Sequence, residues 1–166
     1  MTTERKLIEG RTLLRRYAAG ERDFRNLRLT TLLMKDINLS GINLSGADLI
    51  GIDFSDTNFS NANLSGAKML GVNLVNVNLS YANLCRTDLS GADCTGTDFS
   101  NANLGYSILT AATFSRANFL NAGLNGAILI ATDFRGTNFH FGLDCFMRNV
   151  FLADGTFVEG PEWIEE

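Results

Sequence analysis

The chain has 166 residues, 45% apolar and 19% charged, enough for the core of one domain and too apolar for a disordered or collagen-like chain. No stretch approaches the ~20 consecutive apolar residues of a membrane-spanning helix, and Met1 to Gly20 lacks the ~7 to 15 residue apolar run of a secretory signal, so a cytoplasmic protein with no membrane partner is expected. The net charge of −4 is divided unevenly: residues 1–36 hold nine Lys/Arg and five Asp/Glu, and residues 140–166 hold one and six, so the two ends carry opposite charge. With His140 the only histidine, and Cys85, Cys94 and Cys145 lacking C-x-x-C spacing, zinc and disulfide frameworks have no support and free thiols are expected.

In chain order, residues 1–22 read as a helical N-terminal segment. Thr12 is the expected N-cap, Leu14, Tyr17 and Ala18 lie on one helical face, and Gly20 suits the position just past the last turn.

Residues 23–142 carry a repeat of five. Stepping by five from Phe24 to Phe139 visits 24 positions holding 13 Leu, 8 Phe, 2 Met and Cys94. At a background of 45% apolar such a run has a chance on the order of one in 10⁸. The position two before these, from Leu27 to Thr137, is small or β-branched at all but Leu27 and Leu32, and most often Ala or Thr. One before is Asn or Asp at 16 of 21 visits, and Ser and then Gly or Asn tend to follow, so the unit reads A-(N/D)-L-S-G. A period of five fits neither the 3.6 of a helix nor the 2 of a long strand, so the chain turns once per unit. Asn, Asp, Ser and Gly hold such turns. If each unit turns by a quarter, four close a coil of about 20 residues, with the large and small apolar positions inward. Coils stacked at ~4.8 Å then make a rod of about six coils.

The repeat strongly resembles that of the pentapeptide-repeat family, with its consensus A-(D/N)-L-x-x. The resemblance implies an all-β fold, a right-handed quadrilateral β-helix. The segment from Leu13 to Phe24 also resembles the N-terminal capping helix of cyanobacterial members.

Residues 143–166 read as a C-terminal cap and acidic tail. The repeat is expected to fail at Asp144, and Asp154-Gly155, between Val150-Phe151-Leu152 and Thr156-Phe157-Val158, signals a hairpin. Phe146, Phe151, Phe157, Trp163 and Ile164 fit either a terminal cap or a homodimer interface, the latter also suggested by dimeric family members.

With four units per coil, residues 20 apart form columns. Asp48, Lys68 and Asp88 are expected to support one another as ion pairs, and the Asn38, Asn58, Asn78, Asp98, Asn118 and Asn138 column as a structural ladder. Asp36, Asp53, Asp56 and Asp93 share a face, and some family members bind DNA gyrase as DNA mimics. This face also carries Arg116 and Arg135. Arg5, Lys6, Arg11, Arg15 and Arg16 have no interleaved aromatic platform, which argues against direct nucleic-acid binding. Ile108, Ile128 and Ile130 fall at outward positions, beside Ala111 and Ala131, with Ile50 and Leu70 further along the same face. Such a stripe marks either a surface covered by the C-terminal segment or an interaction surface for a partner or a second copy. Tyr81, Tyr106 and Phe141 are isolated aromatics.

No catalytic, cofactor or metal site can be assembled. One histidine supports no Ser-His-Asp or Cys-His arrangement, Cys94 points inward, Cys85 has only Arg86 beside it, and the glycines follow the repeat rather than a phosphate loop. The expected function is that of a non-enzymatic protein-interaction module with an unidentified protein partner. A gyrase inhibitor or protector and a self-associating structural rod are the alternatives.

Overall fold

The structure, a computed structural model, describes residues 5–138, 145–160 and 162–164. Phe139, His140, Phe141 and Asp144 lie outside these residues, as do the side chains of Cys145, Trp163 and Ile164. Backbone bridges join residues 20 apart from Asp23↔Asn43 to Thr113↔Asp133, all parallel. Each level is held in both directions: Leu44 N–H donates to the Asn63 carbonyl (2.8 Å) and Asn63 N–H to that of Ile42 (2.9 Å). One circuit of the chain therefore takes four five-residue units.

Nearly every unit ends in a β-turn closed by a bond such as Ala47 N–H to the Leu44 carbonyl (3.0 Å). The third turn residue, every fifth position from Asp36 to Gly136, has positive φ. Only nine of these 21 positions are Gly; Asn and Asp fill several, and Tyr81, Arg86, Tyr106, Ala111, Arg116 and Ala131 also adopt it. The Asn/Asp position does separate work. Its side-chain oxygen accepts the N–H two residues on, as Asn38 does from Ser40 (3.1 Å) and Asn63 from Ser65 (3.1 Å). In the column from Asn38 to Asn138 the side-chain bonds between levels among the described residues are few: Asn118 donates to Asp98 (2.8 Å) and Asn138 to Asn118 (2.6 Å).

Inside the coil the large apolar column is fully buried, from Leu39 to Phe134. Phe99 stacks on Phe119 (5.0 Å) and Phe114 on Phe134 (5.1 Å), with edge contacts between the two columns. Threonine is tolerated at the small inward position because Thr57, Thr87, Thr97 and Thr132 donate to carbonyls of the preceding coil. Ser107 Oγ, also buried, has no partner among the described residues.

The N-terminal end departs from expectation. Strand β1 (Lys6–Ile8) precedes helix α1 (Gly10–Ala18) and pairs in parallel with β2 (Leu27–Leu29), adding a rung before the repeat begins. The helix starts at Gly10 and not after Thr12, because the chain leaves β1 directly; Glu9 is the N-cap residue and Gly10 N–H donates to Thr31 Oγ1 (2.7 Å). Leu13 is fully buried and Leu14 and Tyr17 partly so, whereas Ala18 is exposed. Gly20 (φ 96°) does end the helix, with Gly20 N–H on the Tyr17 carbonyl and Glu21 N–H on that of Arg16. Where α1 begins, the corner at Thr31 is rearranged and Leu32, expected inward, is 70% exposed.

The C-terminal end also differs. The stack continues past Asp144: β3 (Ile128–Ile130) pairs in parallel with β4 (Cys145–Arg148), and Asp133 bridges Phe151 of β5 (Val150–Phe151). Spacing shortens to 18 residues there, which hid this level from a period-five reading; Met147 and Val150 take the buried positions. Pairing then turns antiparallel. The Asp154-Gly155 hairpin brings β6 (Phe157–Val158) onto β5, and β7 (Glu162–Ile164) pairs with β4.

At the corner column Arg86–Tyr106–Gly126, the guanidinium lies over the Tyr106 ring and the ring occupies the space of a Cβ at residue 126. Gly126→Ala is expected to lose at least ~1 kcal/mol, and Ala111→Gly to gain about 1 kcal/mol by relieving a left-handed alanine. Urea unfolding midpoints of the two variants check both signs.

Candidate protein-interaction face

One side of the rod presents two adjacent columns. The first runs Leu7, Arg28, Asp48, Lys68, Asp88, Ile108, Ile128, and the second Thr30, Ile50, Leu70, Ser90, Thr110, Ile130. Flanking side chains on each strand point inward, so these project outward. Ile50 is 48% exposed, Ile108 38% and Ile128 36%; Leu70 is exposed and Ile130 half-buried. Among the described residues the C-terminal segment does not fold over this stripe. It adds edge-on: Phe146 sits in register with Ile128 and Arg148 with Ile130, lengthening the apolar end of the face.

The structure thus divides the stripe into two patches, separated by Ser90, Thr110 and Asp88. It also adds residues that the sequence reading missed. Leu7 is 64% exposed and stands opposite Arg28 in β2; Leu32 and Leu33 are exposed at the neighbouring corner. Leu7, Arg28, Leu32, Asp48 and Ile50 line an open concavity. Leu32 carried a signal, being a leucine at a position usually held by Ala or Thr. Leu7 carried none, because α1 interrupts the period between β1 and β2.

The expected Asp48–Lys68–Asp88 ion-pair ladder does not form. Asp48 pairs instead with Arg5 (3.5 Å) and Arg28 (3.9 Å), and Lys68 is exposed with no ion pair among the described residues. Asp88 accepts bonds from the Ser90 N–H (3.0 Å) and hydroxyl (2.6 Å).

The acidic face comprises two columns, Asp36–Asp56–Asn76–Gly96–Arg116 at the corner and Leu33–Asp53–Asn73–Asp93–Thr113–Asp133 beside it. Its carboxylates are interrupted by neutral residues and much of their bonding is local. Asp56 accepts from Asn76 Nδ2 (3.2 Å), and Asp93 from the Thr95 N–H (3.0 Å) and hydroxyl (2.6 Å). Asp133 is bound by Arg135, whose guanidinium also lies over Phe151.

At the basic end, Arg16 pairs with Glu21 and Arg25 with Asp23. Among the described residues no group of His, Cys, Asp and Glu could hold a metal ion, and no helix is long and apolar enough to cross a membrane. Cys94 is fully buried, and burial pushes its thiol well above the ordinary value, which leaves it unreactive. Cys85 is half-buried on the outer surface.

The Ser55 N–H bonded to Asp53 (3.0 Å) holds that carboxyl below its ordinary value. A depressed folded-state value means that its contribution to stability is present above the unfolded value of ~3.9 and is lost as pH falls through the folded value. Asp53→Asn keeps the acceptor and removes the titration, so its stability is expected to fall less steeply below about pH 4 than that of the wild type. Urea midpoints measured across this acid range test the difference.

The pentapeptide repeats family matches in eight copies, over residues 37–74, 68–105 and 107–140. A search of curated protein sequences returns no significant match. Among solved structures, a pentapeptide repeat protein of the Arabidopsis thaliana thylakoid lumen is 34% identical, over 73% of this chain and 72% of that one, with a TM-score of 0.31. HetL, involved in heterocyst differentiation regulation in the cyanobacterium Nostoc sp. strain PCC 7120, is 24% identical over 91% of this chain and all of its own, TM-score 0.32. QnrB1, a plasmid-mediated fluoroquinolone resistance protein, is 23% identical over 85% and 81% of the two chains, TM-score 0.32. The repeat match spans more than half of the sequence, and the same units build the 20-residue rungs seen here, so the chain belongs to the pentapeptide-repeat family of right-handed quadrilateral β-helices.

Proposed function

We propose that this protein is a non-enzymatic protein-binding rod that engages an unidentified protein partner through the apolar end of its two-column face. The observation that carries the reading is the exposure of Ile108 and Ile128, next to Ile130, at positions where the repeat mostly places Asn, Asp, Ser or Thr. Side chains at these positions contribute nothing to the core, so the repeat does not require them to be apolar. A contiguous apolar patch on an otherwise polar surface supports binding. In this reading the rod has about six coils, and α1 closes its N-terminal end by burying Leu13 against the first coil. Pentapeptide-repeat proteins are generally non-catalytic, which supports the non-enzymatic reading.

Gyrase inhibition through Asp36, Asp53, Asp56 and Asp93 draws less support. The columns are broken by Asn73, Asn76, Gly96 and Thr113, and Arg116 and Arg135 close the same face, whereas duplex DNA presents a phosphate every ~1.7 Å of its axis.

The test is a crosslinked pull-down from source lysate with wild type and with Ile108→Asp/Ile128→Asp/Ile130→Asp, both checked for folding by circular dichroism. One protein retained by the wild type alone is expected. Equal capture by both, or capture by neither, removes the apolar end as the binding site.

A further inference from the structure

The pattern along the two-column face is self-complementary when read in reverse. About a point midway between the levels of Asp48 and Lys68, Asp48 mirrors Lys68, Arg28 mirrors Asp88, and Leu7 mirrors Ile108. In the second column Ile50 mirrors Leu70, and Thr30 mirrors Ser90. All levels are separated by one rung of ~4.8 Å, so two copies laid face to face and antiparallel stay in register along the whole row. A two-fold axis across the face keeps each column opposite its own counterpart. A parallel arrangement would instead set Asp48 and Lys68 against Ile50 and Leu70.

We infer that the partner of the N-terminal and central part of this face is a second copy of the chain, bound antiparallel with Asp48 opposite Lys68, Arg28 opposite Asp88, and Ile50 against Leu70. Each contact occurs twice, as an isologous interface requires. Among the described residues neither Lys68 nor Asp88 has an ion pair in a single copy, although carboxylates flank Lys68 one rung away on both sides. The concavity lined by Leu7, Arg28, Leu32 and Ile50 lies opposite the level of Ile108 and Asp88. In this register Ile128, Ile130 and Phe146 project past the end of the opposing copy. The inference rests on the reading of this face as protein-binding; the two share Ile108, but the substitutions that test them lie at different residues, so the two fail separately.

The experiment is sedimentation velocity at low salt on wild type, Asp48→Lys, Lys68→Glu and an equimolar mixture of the two variants. Wild type is expected to form a concentration-dependent dimer. Each variant alone sets like charges opposite one another twice, lysine on lysine or carboxylate on carboxylate, and is expected to dimerise about tenfold or more weakly. In the mixture every opposed pair becomes attractive again, so a heterodimer is expected to return; this recovery also shows that both variants are folded. A wild type that stays monomeric at millimolar concentration overturns the inference. So does a dimer indifferent to both substitutions, which would place the contact at the C-terminal segment, and so does a mixture that does not recover. A monomeric wild type that still captures a partner lost in the Ile108/Ile128/Ile130 variant leaves the protein-binding reading standing and removes self-pairing alone.

Discussion

Everything in this molecule follows from the demand that a chain turning every fifth residue pair its backbone with itself 20 residues later. The pairing satisfies N–H and C=O groups level by level, and it also forces the third residue of every turn into positive φ. Glycine meets that demand without strain, and asparagine and aspartate at moderate cost. Tyr106, Arg116 and Ala131 do not, yet they sit in the same conformation. Bonds above and below each turn determine its geometry whatever residue occupies it. Local strain is thus distributed over a ladder that no single position can break.

The same pairing turns composition into surface design. Inward positions are constrained by packing: leucine and phenylalanine columns, small residues beside them, and threonine where its hydroxyl finds a carbonyl, as Thr57 and Thr97 do in the coil before. Outward positions are free of the core, and each is repeated at one-rung spacing. A charge sequence such as Arg28, Asp48, Lys68, Asp88 therefore becomes a ruled line along the rod. In a globular protein those residues would scatter. Here their order and spacing are preserved on the surface, which lets a face complement another copy of itself or a partner with a matching ruler.

Ends are where a solenoid meets the edge problem, since its last rungs offer unpaired backbone and open core. The two ends are finished differently. At the N-terminal end β1 supplies one more parallel rung and α1 lays Leu13 into the core. At the C-terminal end the coil shortens by two residues and the chain doubles back, so β6 and β7 pair antiparallel with β5 and β4. Antiparallel return gives the top level partners that another parallel coil would only have passed on.

The five-residue period by itself determined the coil, the inward columns and the turn positions, because burial and turning impose a rule at every fifth residue and the rule is written 24 times. It also placed Ile108, Ile128, Ile130, Ile50 and Leu70 on one side, and Asp36, Asp53, Asp56 and Asp93 on another. Tertiary structure decided what the period does not encode. Leu7 joins the face only through strand pairing across an intervening helix, Leu32 turns outward only because α1 occupies the corner, and Phe146 extends the stripe through an 18-residue step. Asp48 takes Arg5 and Arg28 as partners, not Lys68, since ion pairing depends on the reach of side chains and not on column order. Repetition makes the regular part of this protein legible one residue at a time, while its ends and its charges depend on contacts between segments that the repeat does not relate.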